Sequence, residues 1–189
     1  MRAFKEWAIV CDALLDGMQT VLLRKGGIRE EEGRFTITDT AFLLMPTYEH
    51  QQIGLVREEF QSRISNSAQP SNDPDVVVIR GWAEVQSIFA VKDEQLLAKI
   101  AHEHMWNEMY ERLRLDFNPY DPLYIMVLRA FRLSDPVICP MIPEYVGCKS
   151  WVTLEKEIDV SNSRPAISDN EFECRMLTIR QSLTGCEIV

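Results

Sequence analysis

The chain predicts an α+β fold, and three observations carry that expectation. Stretches with the three- and four-residue spacing of a helix are interspersed irregularly with β-branched runs, without the regular strand–helix alternation of a doubly wound sheet. The 189 residues are 46% apolar and 26% charged, enough to bury one full core and offset the entropy of ordering the chain. No internal repeat occurs, and low complexity is confined to the polar tract 65–75. The expected layout is a single α+β domain over 1–160, with 65–75 as an exposed loop, and a helical extension at 161–189 packed on it.

The elements follow in order. Phe4, Trp7, Ala8, Cys11, Leu14 and Leu15 recur at helical steps, so Ala3–Asp16 reads as an amphipathic helix. Gly17 stops it, because glycine enters the left-handed cap conformation cheaply. Gln19–Lys25 is β-branched and aliphatic and reads as a strand ended by Gly26-Gly27. Arg34–Thr38 alternates, Ala41–Met45 is an apolar run halted by Pro46, and the two read as strands joined by a turn at Asp39. Ile53, Val56, Phe60 and Ile64 mark a helix that runs into the 65–75 loop, where Pro70 and Pro74 fall.

Val76–Val91 is a long β-like stretch in which Gly81 predicts a bulge or bend. Asp93 is placed to cap a helix running to about Leu113, and Asn118-Pro119-Tyr120-Asp121-Pro122 breaks it. Leu123–Leu133 reads as a buried strand, after which Pro136, Pro140 and Pro143 predict an extended, irregular segment. Trp151–Leu154 is a last short strand. Ser168 then caps a closing helix with Phe172, Met176, Ile179 and Leu183 on one face.

Composition narrows the function classes. Twenty basic against twenty-nine acidic side chains give a net charge of −9, which disfavours wrapping a long duplex by bulk electrostatics. The first third is nearly neutral and holds the cluster Arg24-Lys25-Gly26-Gly27-Ile28-Arg29, compatible with a local phosphate site whose glycines present backbone N–H groups. No apolar stretch approaches the ~20 residues of a membrane span. Met1–Asp12 carries charges where a signal peptide would be apolar, so no membrane partner is expected. Five scattered cysteines without a CxxC pair argue against a disulfide framework or a zinc knuckle, and a cytoplasmic location is expected.

Motif chemistry is sparse. No nucleophile elbow, Walker-A loop, HExxH or dinucleotide fingerprint is present, and no cofactor is expected. His102 and His104, two apart on a helix, point ~200° from each other and cannot share one ion, so His104 reads as a core histidine. His50, beside Tyr48 in a polar cluster after a strand, is a candidate for hydrogen bonding or acid–base work. Arg129 falls among apolar residues of the Leu123–Leu133 strand, where an unpaired guanidinium is costly. It should find a carboxylate or a ligand anion, and Arg132 on the other face raises the same question. Pro74-Asp75, then Glu84-Val85-Gln86, resembles the two-carboxylate arrangement of restriction-type nucleases, with Asp75 and Glu84 on Mg²⁺ and Gln86 in the place of the usual lysine.

Longer strings carry a family resemblance. Phe4-Lys5-Glu6-Trp7-Ala8, Val21 to Glu30, Phe42 to Gln51 and Tyr145 to Val152 resemble the DUF1802 family over essentially the whole chain. That resemblance implies little about activity beyond a link to restriction–modification through domains joined to some members. A second pattern, a tryptophan-bearing helix followed by Gly17-Met18-Gln19-Thr20-Val21-Leu22-Leu23-Arg24, is similar to the GxKxxExR opening of ASCH domains. It implies a small mixed or antiparallel PUA-like β-barrel with flanking helices, in a group that binds RNA or modified bases. Gln19 and Leu22 stand where that motif has lysine and glutamate, so only Arg24 transfers, as a candidate ligand contact.

The reading these features support is a nucleotide, modified-base or short nucleic-acid binding module. Arg24, Lys25 and Arg29 would contact phosphate or base edges, Tyr48 and His50 would stack or hydrogen-bond, and Arg129 is a further ligand candidate. The alternatives are the Mg²⁺-dependent nuclease and a protein-interaction module that uses the acidic surface and the Pro-rich 135–145 segment.

Overall fold

Two long antiparallel strands organise the chain. The computed structural model describes residues 1–25, 30–31, 34–35, 39–49, 51–66, 73–147 and 149–189. It opens with β1 (Ala3–Trp7), α1 (Ala8–Leu15), β2 (Val21–Arg24), the short pair β3 (Glu30–Glu31) and β4 (Arg34–Phe35), and β5 (Ala41–Thr47). Then come α2 (Glu58–Asn66), β6 (Val76–Val91), α3 (Glu94–Ala98), α4 (Glu108–Asp116) and β7 (Leu123–Pro140). The chain closes with β8 (Trp151–Val152), β9 (Arg164–Pro165) and α5 (Asp169–Ser182).

The strands β6 and β7 pair along nearly their whole length, and β6 has the predicted bounds. A register shift between Ile79 and Gly81 supplies the predicted bend at the glycine. A Cβ on Gly81 would lie 2.3 Å from Leu15 Cδ2 and 2.3 Å from the Phe131 carbonyl oxygen, so α1 can approach the β6–β7 ribbon here only over a glycine. The same shift corrects the expectation of an irregular chain after Leu133. Strand β7 continues to Pro140, and Pro136 falls in the unpaired bulge opposite Arg80, where no ladder N–H is required of it.

The β6–β7 pair sits inside a seven-stranded sheet of order β2-β7-β6-β5-β1-β8, with β9 added on β7 at Phe131 and Arg132. The β1–β5 pair is parallel and the others are antiparallel. The architecture is α+β with flanking helices, as predicted, but the sheet does not close into a barrel. Its end strands β2 and β8 have four and two residues and no pairing joins them among the described residues. A side chain spans the gap instead: Arg24, ending β2, donates to Glu6 on β1 at 3.1 Å and to Ser150 beside β8 at 2.7 Å.

Three further expectations change. Ala3–Trp7 is a strand rather than the first turns of a helix, because it pairs along the edge of β5 opposite β6, from Leu43 to Thr47, with β8 on its far side. Helix α1 is accordingly a core helix, buried at every position but Asp12. Pro46 does not halt β5, since β6 pairs only with Ala41–Leu43 and asks no N–H of the proline. The single helix expected after Asp93 is two, because the Asn107 side chain accepts from the Tyr110 N–H and starts α4 afresh. The helix expected over Ile53–Ile64 likewise splits into a 3₁₀ turn at Ile53–Leu55 and α2.

Local chemistry holds elsewhere. Helix α1 ends in a complete Schellman arrangement, with Gly17 at φ 70°, its N–H on the Leu14 carbonyl and the Met18 N–H on the Ala13 carbonyl. Ser168 accepts from the Glu171 N–H, and Phe172, Met176, Ile179 and Leu183 are buried. One apolar cluster lies between the sheet, α1 and α5; a smaller one, around Val77, Ile79, Cys139 and Tyr145, covers the rest of the sheet. No helix among the described residues is long and apolar enough to cross a membrane.

Candidate functional site

Docking of α1 over Gly81 brings its Asp12 and the following C-terminal cap residue, Asp16, onto the β6–β7 ribbon. Asp12 and Asp16 are four residues apart and share a face. Asp12 pairs with Arg80 of β6, which precedes Gly81. Asp16 bridges two arginines: one oxygen accepts from Arg132 of β7 at 2.6 Å and the other from Arg63 of α2 at 2.9 Å. The five side chains line a cleft of ≈ 500 Å³ together with Leu15, Ser62, Leu133 and Pro136.

Three guanidinium groups against two carboxylates make this a locally cationic site on a chain of net charge −9. Each arginine donates one N–H to an aspartate among the described residues, out of five on a guanidinium. The side chains of Arg63, Arg80 and Arg132 are 41%, 36% and 51% exposed, so their remaining donors face the cleft or solvent. Burial lowers the Arg80 pKa, with the Arg132 charge acting in the same direction. An added anion would relieve that repulsion.

The residues expected to bind ligand go to different places. Arg24 is a strut: its guanidinium is held by Glu6 and Ser150 and lies 4.7 Å over the Phe4 ring. Lys25 is buried, donates at 2.9 Å to the Leu115 carbonyl at the end of α4, and has its pKa lowered by that burial. Neither lines the arginine cleft, nor the cavities of Tyr48 and Arg129 described next. Arg29 and His50 lie outside the described residues. Tyr48 and Asp75 line a second cavity, and burial pushes the Tyr48 hydroxyl up to about 12. Arg129 is paired with Asp169, lies 4.8 Å over the Phe172 ring and lines a third cavity with Gln86.

Arg129 and Arg132 have thus both found carboxylates. The nuclease trio is not assembled. Asp75 precedes β6 and Glu84 lies nine positions on, within the same strand, which separates them by roughly 20–30 Å at ~3.3 Å per residue. The Gln86 side chain donates to Glu84 at 3.4 Å. No group of three or more His, Cys, Asp or Glu that could hold a metal ion occurs among the described residues. His104 is a buried core histidine, as expected.

Of these residues the sequence marks Arg132 as a charge in need of a partner, and does not mark Arg63, Arg80, Asp12 or Asp16 as site residues. The available signal was Arg80, a charge between Ile79 and Gly81 inside an apolar strand. A family model described as a domain of unknown function, DUF1802, matches residues 3–177. No curated protein matches the chain. Among solved structures, the crystal structure of ASCH from Zymomonas mobilis is similar, at 13% identity and a TM-score of 0.47, covering 94% of this chain and 93% of that one.

Proposed function

Because the chain belongs to the DUF1802 family, domains of unknown function, its activity must be read from its own side chains, and we propose that it binds a nucleotide or a short single-stranded nucleic acid by its phosphates. The observation that carries this reading is the cleft in which Arg63, Arg80 and Arg132 converge around Asp12 and Asp16. The aspartates hold the guanidinium planes in place and leave most of their N–H donors for an anion, the bidentate geometry in which arginine recognises phosphate. The cleft volume of ≈ 500 Å³ falls in the range of small-ligand sites, about 300–1,000 Å³. A net charge of −9 favours a ligand with one or two phosphates at this site over a long polyanion.

The test is fluorescence anisotropy with a labelled six-nucleotide RNA, and calorimetry with adenosine monophosphate. Wild type should bind the RNA saturably, weakening about sevenfold between 50 and 200 mM salt if two phosphates are neutralised. The double variant Arg63→Ala, Arg132→Ala should lose at least about tenfold in affinity for both ligands, as expected when two charge-assisted hydrogen bonds go. Binding that is equal in the double variant, or absent in wild type, removes the proposal.

A further inference from the structure

The cavity lined by Tyr48 and Asp75, at ≈ 650 Å³, is larger than the arginine cleft and shares no lining residue with it. Its walls are mostly apolar. Val77 of β6 and Tyr145 are buried members of the smaller core cluster, and Met141 and Ile142 pack against that cluster. The walls are also tied down: the Met141 N–H donates to the Asp75 carbonyl at 2.7 Å, and the Glu155 N–H donates to the Tyr145 hydroxyl at 2.8 Å.

The charges at this cavity are asymmetric. Asp75 and Glu49 line it from exposed positions, and neither carboxylate has a hydrogen-bond or ion-pair partner among the described residues. The cationic side chain in the lining, Lys5, is held by the Tyr145 and Gly147 carbonyls at 2.6 and 2.8 Å. Nearby Lys149 donates to the Glu144 carbonyl at 3.2 Å. The chain's charge of −9 adds a field that draws cations and repels anions.

We propose that this cavity binds a small molecule with an apolar body and a protonated amine or guanidine, the body against Val77, Met141 and Tyr145 and the cation between Asp75 and Glu49. An anion would meet two carboxylates that have no partner among the described residues. A neutral polar molecule of the same shape would gain the apolar contact alone.

The experiment is an amide-resolved NMR titration of the whole chain with three probes of one shape: 2-phenylethylamine, 2-phenylethanol and 3-phenylpropionate. The amine should shift the Val77, Met141 and Gly147 amides saturably, and bind several-fold tighter than the alcohol and the carboxylate. The double variant Asp75→Asn, Glu49→Gln should weaken the amine about fivefold, the size expected for partly exposed charge pairs, and leave the alcohol unchanged. Both substitutions are at exposed positions, so amides elsewhere should keep their shifts. The Arg63→Ala, Arg132→Ala variant should bind the amine like wild type, which separates this site from the anion cleft. Equal binding of the three probes, no saturable amine binding, or an amine affinity indifferent to the carboxylate variant overturns the proposal.

Discussion

Replacing Glu111 with glutamine should stabilise the protein at alkaline pH and leave it unchanged in acid. Glu111 lies in the first turn of α4, 6% exposed, with Oε1 3.5 Å from Nε2 of His104, whose ring is wholly buried. Neither ring nitrogen of His104 has a hydrogen-bond partner among the described residues. Burial pushes the Glu111 carboxyl from its ordinary 4.5 up to about 7, with the Glu108 and Glu94 charges adding to the rise and Arg57 opposing it. Burial pushes the His104 imidazole from 6.5 down to about 3, helped by the charges of Arg57 and His102. The pair therefore keeps its proton on the carboxyl, facing a neutral imidazole.

The folded carboxyl stays protonated between pH 4.5 and about 7, where the unfolded one has released its proton. Stability from this group is full below 4.5 and is lost as the pH rises to about 7. At ~1.4 kcal/mol per tenfold change in proton affinity, that loss is up to ~3 kcal/mol. His104 acts oppositely: its depressed folded pKa removes stability as the pH falls from 6.5 towards 3. Glutamine keeps a neutral group beside the imidazole and abolishes only the alkaline loss. Guanidinium melts at pH 4.5, 6 and 8 should show the variant level with wild type at the first and ahead by roughly 1–3 kcal/mol at the last. A variant less stable at pH 8, or an advantage equal at all three values, refutes the reasoning.

Other changes test the frame. Arg24→Ala strands the buried Glu6 without its cation and should cost about 3 kcal/mol in a denaturant melt while leaving RNA affinity per folded molecule unchanged. Gly81→Ala forces the Phe131 backbone or Leu15 to move from a 2.3 Å contact and should destabilise by about 1–3 kcal/mol, read as a lowered melting temperature. Removing residues 186–189 uncovers the β6 edge, whose Ile88 and Ala90 N–H groups now donate to the Val189 and Cys186 carbonyls, and sedimentation velocity should then show self-association. Under a thiol-reactive dye, exposed Cys174 should label in the native state. Cys11, buried and with its pKa raised by that burial, should label only on unfolding.

The candidate cleft was only partly legible in the sequence. Arg132 stands out because it interrupts an apolar run, but nothing local links it to Asp16 at the end of α1 or Arg63 in α2, 116 and 69 positions away. Arg24 is legible as an unusual strand-end charge, but position along the chain does not reveal that a buried glutamate faces it across the sheet opening.

What the sequence alone determined is what neighbours along the chain decide: the 16-residue reach of β6, the glycine cap of α1, the serine start of α5 and its buried face. Each depends on backbone conformation or on the period of burial, both written within a dozen or so consecutive residues. Only the tertiary structure decided that Ala3–Trp7 pairs as a strand, that a guanidinium rather than a ladder bridges the sheet's ends, and which arginines share an aspartate. Periodicity reports that a residue is buried or charged, whereas its partner depends on where distant elements come to rest against one another.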